Sequence, residues 1–165
     1  MKKNYLLLAA FATLFFLPIN SFGEKGGHPN ILFILTDDQA PWAFGKSGDP
    51  NAHTPIMDKL AEKGAYLKNA FITTPVCSPS RASIMTSRYA SEYDILDFIP
   101  HLDHRLFDSS YIPGLDSKSI TFAEVLQQAG YKTGFAGKWH LGEWTSSGDK
   151  KYHPTNHGFD YFMGL

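Results

Sequence analysis

The sequence predicts an α/β fold on a mostly parallel sheet, and three observations carry that expectation. A continuous apolar run of strand length occurs at 30–36 (NILFILT), 65–73 (AYLKNAFIT) reads as a second strand, and stretches with helical spacing and clear stop signals alternate with them. The third observation is that charged and reactive side chains follow the strands, at the end where open α/β sheets gather their ligands.

Taken in order, 1–23 is read apart from the fold. Lys2 and Lys3, an apolar run at 5–17 and the small residues Ser21 and Gly23 form a secretory signal pattern. The run stops at Pro18, short of the ~20 residues that span a bilayer, so no stable membrane anchor is expected. Export places the mature chain in the periplasm or outside the cell. Removing this segment takes away two lysines and no acid, which moves the net charge from -1 to -3. That balance speaks against nucleic-acid binding, which wants a basic stripe.

The run 30–36 ends in Asp37-Asp38 and suits a strand buried on both faces. Thr54-Pro55 opens a helix whose apolar residues Ile56, Met57, Leu60 and Ala61 share a face, and Gly64 ends it. Residues 65–73 read as a second strand, 80–87 as a short helix capped near Ser78 or Ser80, and 88–118 as a long excursion without sustained period. Ser119 is the expected cap of a third helix bearing Phe122, Val125, Leu126 and Ala129, and 131–136 reads as a third strand leading into Gly137-Lys138-Trp139-His140. About three strands are fewer than a usual sheet contains, so 24–165 is expected to be the front part of a larger domain.

The chain holds one cysteine, Cys77, which excludes a disulfide scaffold. An intermolecular partner, a buried inert thiol and a group with a chemical task remain open for it. Its neighbours are two prolines, two serines and Arg81, at what should be a helix N-terminus, a setting that favours anions. A cysteine phosphatase would place arginine six positions after its cysteine, where this chain has Ser83. Asp37 and Asp38 repel one another unless a cation or hydrogen-bond donors compensate, and hard oxygens suit Ca²⁺ or Mg²⁺. A plain Asp-Asp turn is the equal alternative. His101 and His104 are read as solvated loop residues, His53, His153 and His157 as structural or surface residues, and Trp139, Trp144 and Phe159 as packing.

The stretch CSPSRAS followed by IMTSRY resembles the sulfatase signature, in which the cysteine of a C-x-P-S-R core is oxidised to formylglycine. Collinear blocks extend the likeness: NILFILTDDQ, TPIMDKLAEKGAYLKNAF, GKWHLG and HGFDYFMGL. The resemblance implies an alkaline-phosphatase-like sandwich with a mostly parallel central sheet, represented by its N-terminal part. It implies Ca²⁺, with Mg²⁺ second, held by Asp37, Asp38 and the modified Cys77. Arg81 would hold the aldehyde hydrate, Lys138 the sulfate, and His140 a hydroxyl of the hydrate. One hydroxyl would attack sulfur, and deprotonating the other would expel sulfate. The implied partners are a formylglycine-generating enzyme and a sulfate-ester substrate, expected to be a carbohydrate. The family completes its metal site far downstream, so 24–165 alone is expected to be inactive. A phosphonate or phosphate ester hydrolase of the same superfamily and a non-catalytic secreted remnant are the rival readings.

Overall fold

The computed structural model describes residues 27–100, 114–144 and 150–165. The signal pattern at 1–23 and the pair His101 and His104 lie outside the described residues. Contacts divide the chain between Phe33 and Ile34, and the larger unit, from Ile34 to Leu165, holds everything that follows.

Among the described residues, three α-helices and a two-stranded parallel sheet form the framework of this unit. Helix α1 is Pro55–Lys63, α2 is Cys77–Thr86 and α3 is Phe122–Gln128, and strand β1 (Gly134–Gly137) pairs with β2 (Tyr161–Gly164). The register sets Phe135 opposite Phe162 and Gly137 opposite Gly164. A Cβ at position 164 would collide with the Gly137 carbonyl, so glycine is what lets the two backbones meet there. Two short 3-10 turns, Lys150–Tyr152 and Pro154–Asn156, lie on the crossover from β1 to β2.

The core lies where α2, α3 and the stretch after β1 converge. Ala82 and Met85 come from α2, Ala123 from α3, and Trp139 and Leu141 from the chain beyond β1, joined by Ile95, Ile99, Leu115 and Phe159. Trp139 is fully buried, its indole N–H donates to the Tyr152 carbonyl at 2.8 Å, and Phe135 meets it edge-on at 5.6 Å. Burying a large ring with its one donor satisfied brings the hydrophobic gain without an orphaned polar group.

Several expectations need correction. Residues 30–36 and 65–73 form no strand, and Leu32, Ile34, Leu67 and Phe71 are exposed. An apolar run becomes a strand only by pairing along an edge, and among the described residues the only ladder joins β1 to β2. Helix α1 forms where predicted, yet Ile56 and Leu60 on its apolar face are also exposed. Helix α2 starts at Cys77, three residues before the expected start at 80, behind an extended Val76 cap. The cap of α3 is Thr121 instead of Ser119. The excursion supplies core residues, Ile95, Ile99 and Leu115, and a 3-10 turn at Ala90–Tyr93. Among the described residues no helix is long and apolar enough to cross a membrane.

Candidate active site

Position 77 is the first residue of α2, half-buried, with its thiol free. Pro79 fits because the first turn of a helix has N–H groups without intrahelical acceptors, so a missing one costs little. Ser78, Pro79, Ser80, Arg81 and Ala82 are all buried, so this segment is packed inside the fold. Arg81 stands four residues after Cys77, one turn along the same side of the helix.

The Arg81 side chain, 8% exposed, reaches two acceptors. Its guanidinium donates to the backbone carbonyl of Lys138 and to Asp37 Oδ1 at 3.2 Å. Lys138 Nζ donates to Asp37 Oδ2 at 2.9 Å. One carboxylate is thus shared by two cations that come from α2 and from the end of β1. The hydrogen bond from Lys138, then that from Arg81, holds the Asp37 carboxyl below its usual range, against a smaller desolvation effect. Asp38 beside it is exposed, with φ at 52°, a left-handed conformation that aspartate tolerates better than most residues.

Because Trp139 goes into the core, Lys138 and His140 on either side of it are fixed at the wall of one cavity. This cavity, about 770 Å³, is also lined by Phe98, Pro100, Trp144 and Leu165. His140 has φ at 55°, and its Nε2 lies 2.7 Å from the Ile99 carbonyl. The N–H of Ile99 donates in turn to Ser78 Oγ at 3.0 Å.

The structure therefore brings Asp37, Arg81 and Lys138 into one ionic cluster. It joins the first turn of α2 to His140 through Ile99, and it leaves Asp38 outside these contacts. Sequence reasoning missed Ile99, Phe98 and Pro100, which sat in an excursion without a legible period. Ile99 acts through backbone atoms, so its side chain carries no signal. Trp144 was read only as packing. It does meet His153 and Phe162 edge-on, yet it also lines the cavity.

The implied cation can be tested against the residues present. Asp37 and Asp38 supply hard oxygens of the kind Ca²⁺ takes, and Asp37 is already held ionised by its neighbours. Among the described residues no group of three or more His, Cys, Asp or Glu side chains converges. The pair fits Ca²⁺ in kind and in charge, as part of a shell of 6 to 8 oxygens.

With that geometry in hand, the class is defined by comparison: residues 29–165 match the family described as Sulfatase, and the chain belongs to that family. Its fold is the α/β, alkaline-phosphatase-like fold of its structural neighbours. Among particular relatives, human Arylsulfatase D is 41% identical over 140 residues, covering 83% of this chain and 23% of the relative. Human Steryl-sulfatase is 37% identical over 156 residues, covering 94% and 26% respectively. The crystal structure of Ps i-CgsB in complex with k-i-k-neocarrahexaose superposes with a TM-score of 0.64 at 30% identity, over 78% of this chain and 27% of that one. The chain spans about a quarter of the length of the relatives it matches.

Proposed function

We propose that this chain is the N-terminal part, 24–165, of the catalytic domain of an exported sulfatase. In this reading Cys77 is converted to formylglycine and a sulfated saccharide is the substrate. The observation that carries the reading is the convergence of Arg81 and Lys138 on the Asp37 carboxylate, with Arg81 one helical turn from Cys77. Three residues far apart in sequence form one ionic cluster, tied through the same helix to a cysteine whose thiol is free.

Formylglycine would supply a geminal diol: attack of one hydroxyl on sulfur would displace the substrate alcohol, and loss of a proton from the other would break the carbon–oxygen bond to sulfate and regenerate the aldehyde. Asp37, Asp38 and the modified residue 77 would hold Ca²⁺, which when bound would supply positive charge toward the sulfuryl oxygens. This chain's own cations do the rest of the electrostatic work. Lys138, half-exposed at the cavity wall, binds a sulfate oxygen, and the buried guanidinium of Arg81 holds position 77 and orients Asp37. His140 takes the proton that must leave, because imidazole changes charge near neutral pH. The cavity beside Lys138 and His140 is roomy enough for a sugar ring, and the aromatic ring of Trp144 offers it an apolar wall. A relative of similar fold was solved with an oligosaccharide, which supports this substrate class.

Cys77→Ser tests the chemistry. In the intact protein the wild type is expected to carry an aldehyde at position 77, seen by mass spectrometry, and to hydrolyse an aryl sulfate. The variant, made in a host without a serine-type maturation system, is expected to lose both. Retained sulfatase turnover without the aldehyde would overturn the formylglycine reading.

A further inference from the structure

We propose that Ser78, the x of the C-x-P-S-R core, is a positioning residue that fixes the ring orientation and tautomer of His140 through the backbone of Ile99. The proposal rests on the reading of Cys77 and His140 as active-site residues and adds a link between them. Ser78 Oγ accepts the Ile99 N–H at 3.0 Å, and the Ile99 carbonyl faces His140 Nε2 at 2.7 Å.

Each step of this relay is constrained. Ser78 is fully buried in the first turn of α2, next to Cys77, so its hydroxyl has no water to turn toward. Ile99 is 4% exposed and precedes Pro100, which confines its backbone to extended conformations. A carbonyl oxygen only accepts, so the ring nitrogen facing it must carry hydrogen. His140 is thereby held as the tautomer protonated on Nε2, which makes Nδ1, itself buried, the basic nitrogen of the ring. The left-handed backbone at His140 is sparsely populated for a residue with a side chain, and such conformations persist where surrounding contacts over-determine them. Residue 77 and the ring of His140 are then set by the same turn of helix, so movement of that turn reaches both.

The experiment uses the intact protein and the variants Ser78→Ala and Ser78→Thr, with turnover divided by the aldehyde content at position 77. Ring ¹⁵N shifts are read in histidine-labelled protein, with the His140 signals assigned by difference against His140→Gln. The wild type is expected to show the Nε2-protonated tautomer, and Ser78→Ala a mixture of tautomers. Ser78→Ala is also expected to lose kcat on the order of tenfold to a hundredfold with little change in KM. Ser78→Thr, which keeps the hydroxyl, is expected to restore both signals. A merely structural serine would lower the melting temperature while leaving the tautomer and the turnover per aldehyde at wild-type values, and that result overturns the relay. Wild-type turnover in His140→Gln would instead overturn the catalytic reading of His140, while the ring signals of Ser78→Ala would still decide the relay.

Discussion

Arg81 shows how much one residue type can be asked to do. Its planar fork reaches the Asp37 carboxylate and the Lys138 carbonyl together, from a side chain that is 8% exposed. Lysine carries the same charge on a compact ammonium and lacks the planar fork that sets two donors toward separate acceptors. Arg81→Lys is expected to lower stability by about 2 kcal/mol, in line with losing a hydrogen bond to a charged group, as read from urea unfolding. Asp37→Asn is the instructive comparison, because its side chain is 48% exposed and water can partly replace what it loses. A loss of about 1 kcal/mol or less is expected for it. If the two variants prove equally mild, the cluster contributes little beyond ordinary surface pairing. The sequence announced these residues by type and position, since Asp37, Arg81 and Lys138 each come after a stretch read as a strand. It could not announce that they share one carboxylate.

At the scale of elements, the helices were more legible than the strands, and α3 shows both the strength and the limit of local signals. Ser119 and Thr121 are both reasonable caps by type, but only Thr121 has Glu124 three residues on. Thr121 Oγ1 accepts from the Glu124 N–H at 3.3 Å, and the Glu124 carboxylate accepts from the Thr121 N–H at 2.7 Å. The same hydroxyl donates to the His157 carbonyl at 2.8 Å, so the cap also ties α3 to the crossover. A helix of seven residues is too short to persist alone and depends on such ties. Thr121→Ala should therefore cost about 2 kcal/mol by chemical denaturation, with Thr121→Ser close to wild type, and equal stability of the two would exclude the cap as the cause. The strands failed for a different reason. A helix satisfies its own backbone, whereas a strand borrows its hydrogen bonds from a neighbour that local sequence does not name. Thus 30–36 has the composition of a buried strand and no partner among the described residues, while the four-residue β2 is a strand because β1 lies beside it.

At the scale of the molecule, the titratable groups with shifted affinities among the described residues all bias stability in one direction. Burial lowers the proton affinity of His157 from its usual 6.5, against smaller opposing effects from the Lys151 carbonyl, Glu124 and Asp116. His153, next to Lys150, is lowered as well, first by desolvation. Asp37 is lowered by Lys138 and Arg81, and Asp160 by the Thr133 N–H, both from 3.8. Between its folded and unfolded values, each such group binds more protons in the unfolded chain, so stability rises with pH there and falls as pH drops. The histidine contribution is fully present above 6.5 and is lost as pH falls from there toward the lowered folded values. The carboxylate contribution is present above 3.8 and is lost only at more acid pH. Two separate declines are therefore expected, one beginning near neutrality and one in strong acid. His157 dominates the first, because it is fully buried, its ring lies against Trp139 at 5.5 Å, and its protonation puts a charge into the core. Denaturant midpoints measured from pH 8 down to pH 3 should show both steps, and His157→Gln should flatten the first while leaving the second. A wild-type midpoint that stays constant from pH 8 to pH 5 would mean that water reaches His157 and that this core opens more readily than its packing implies.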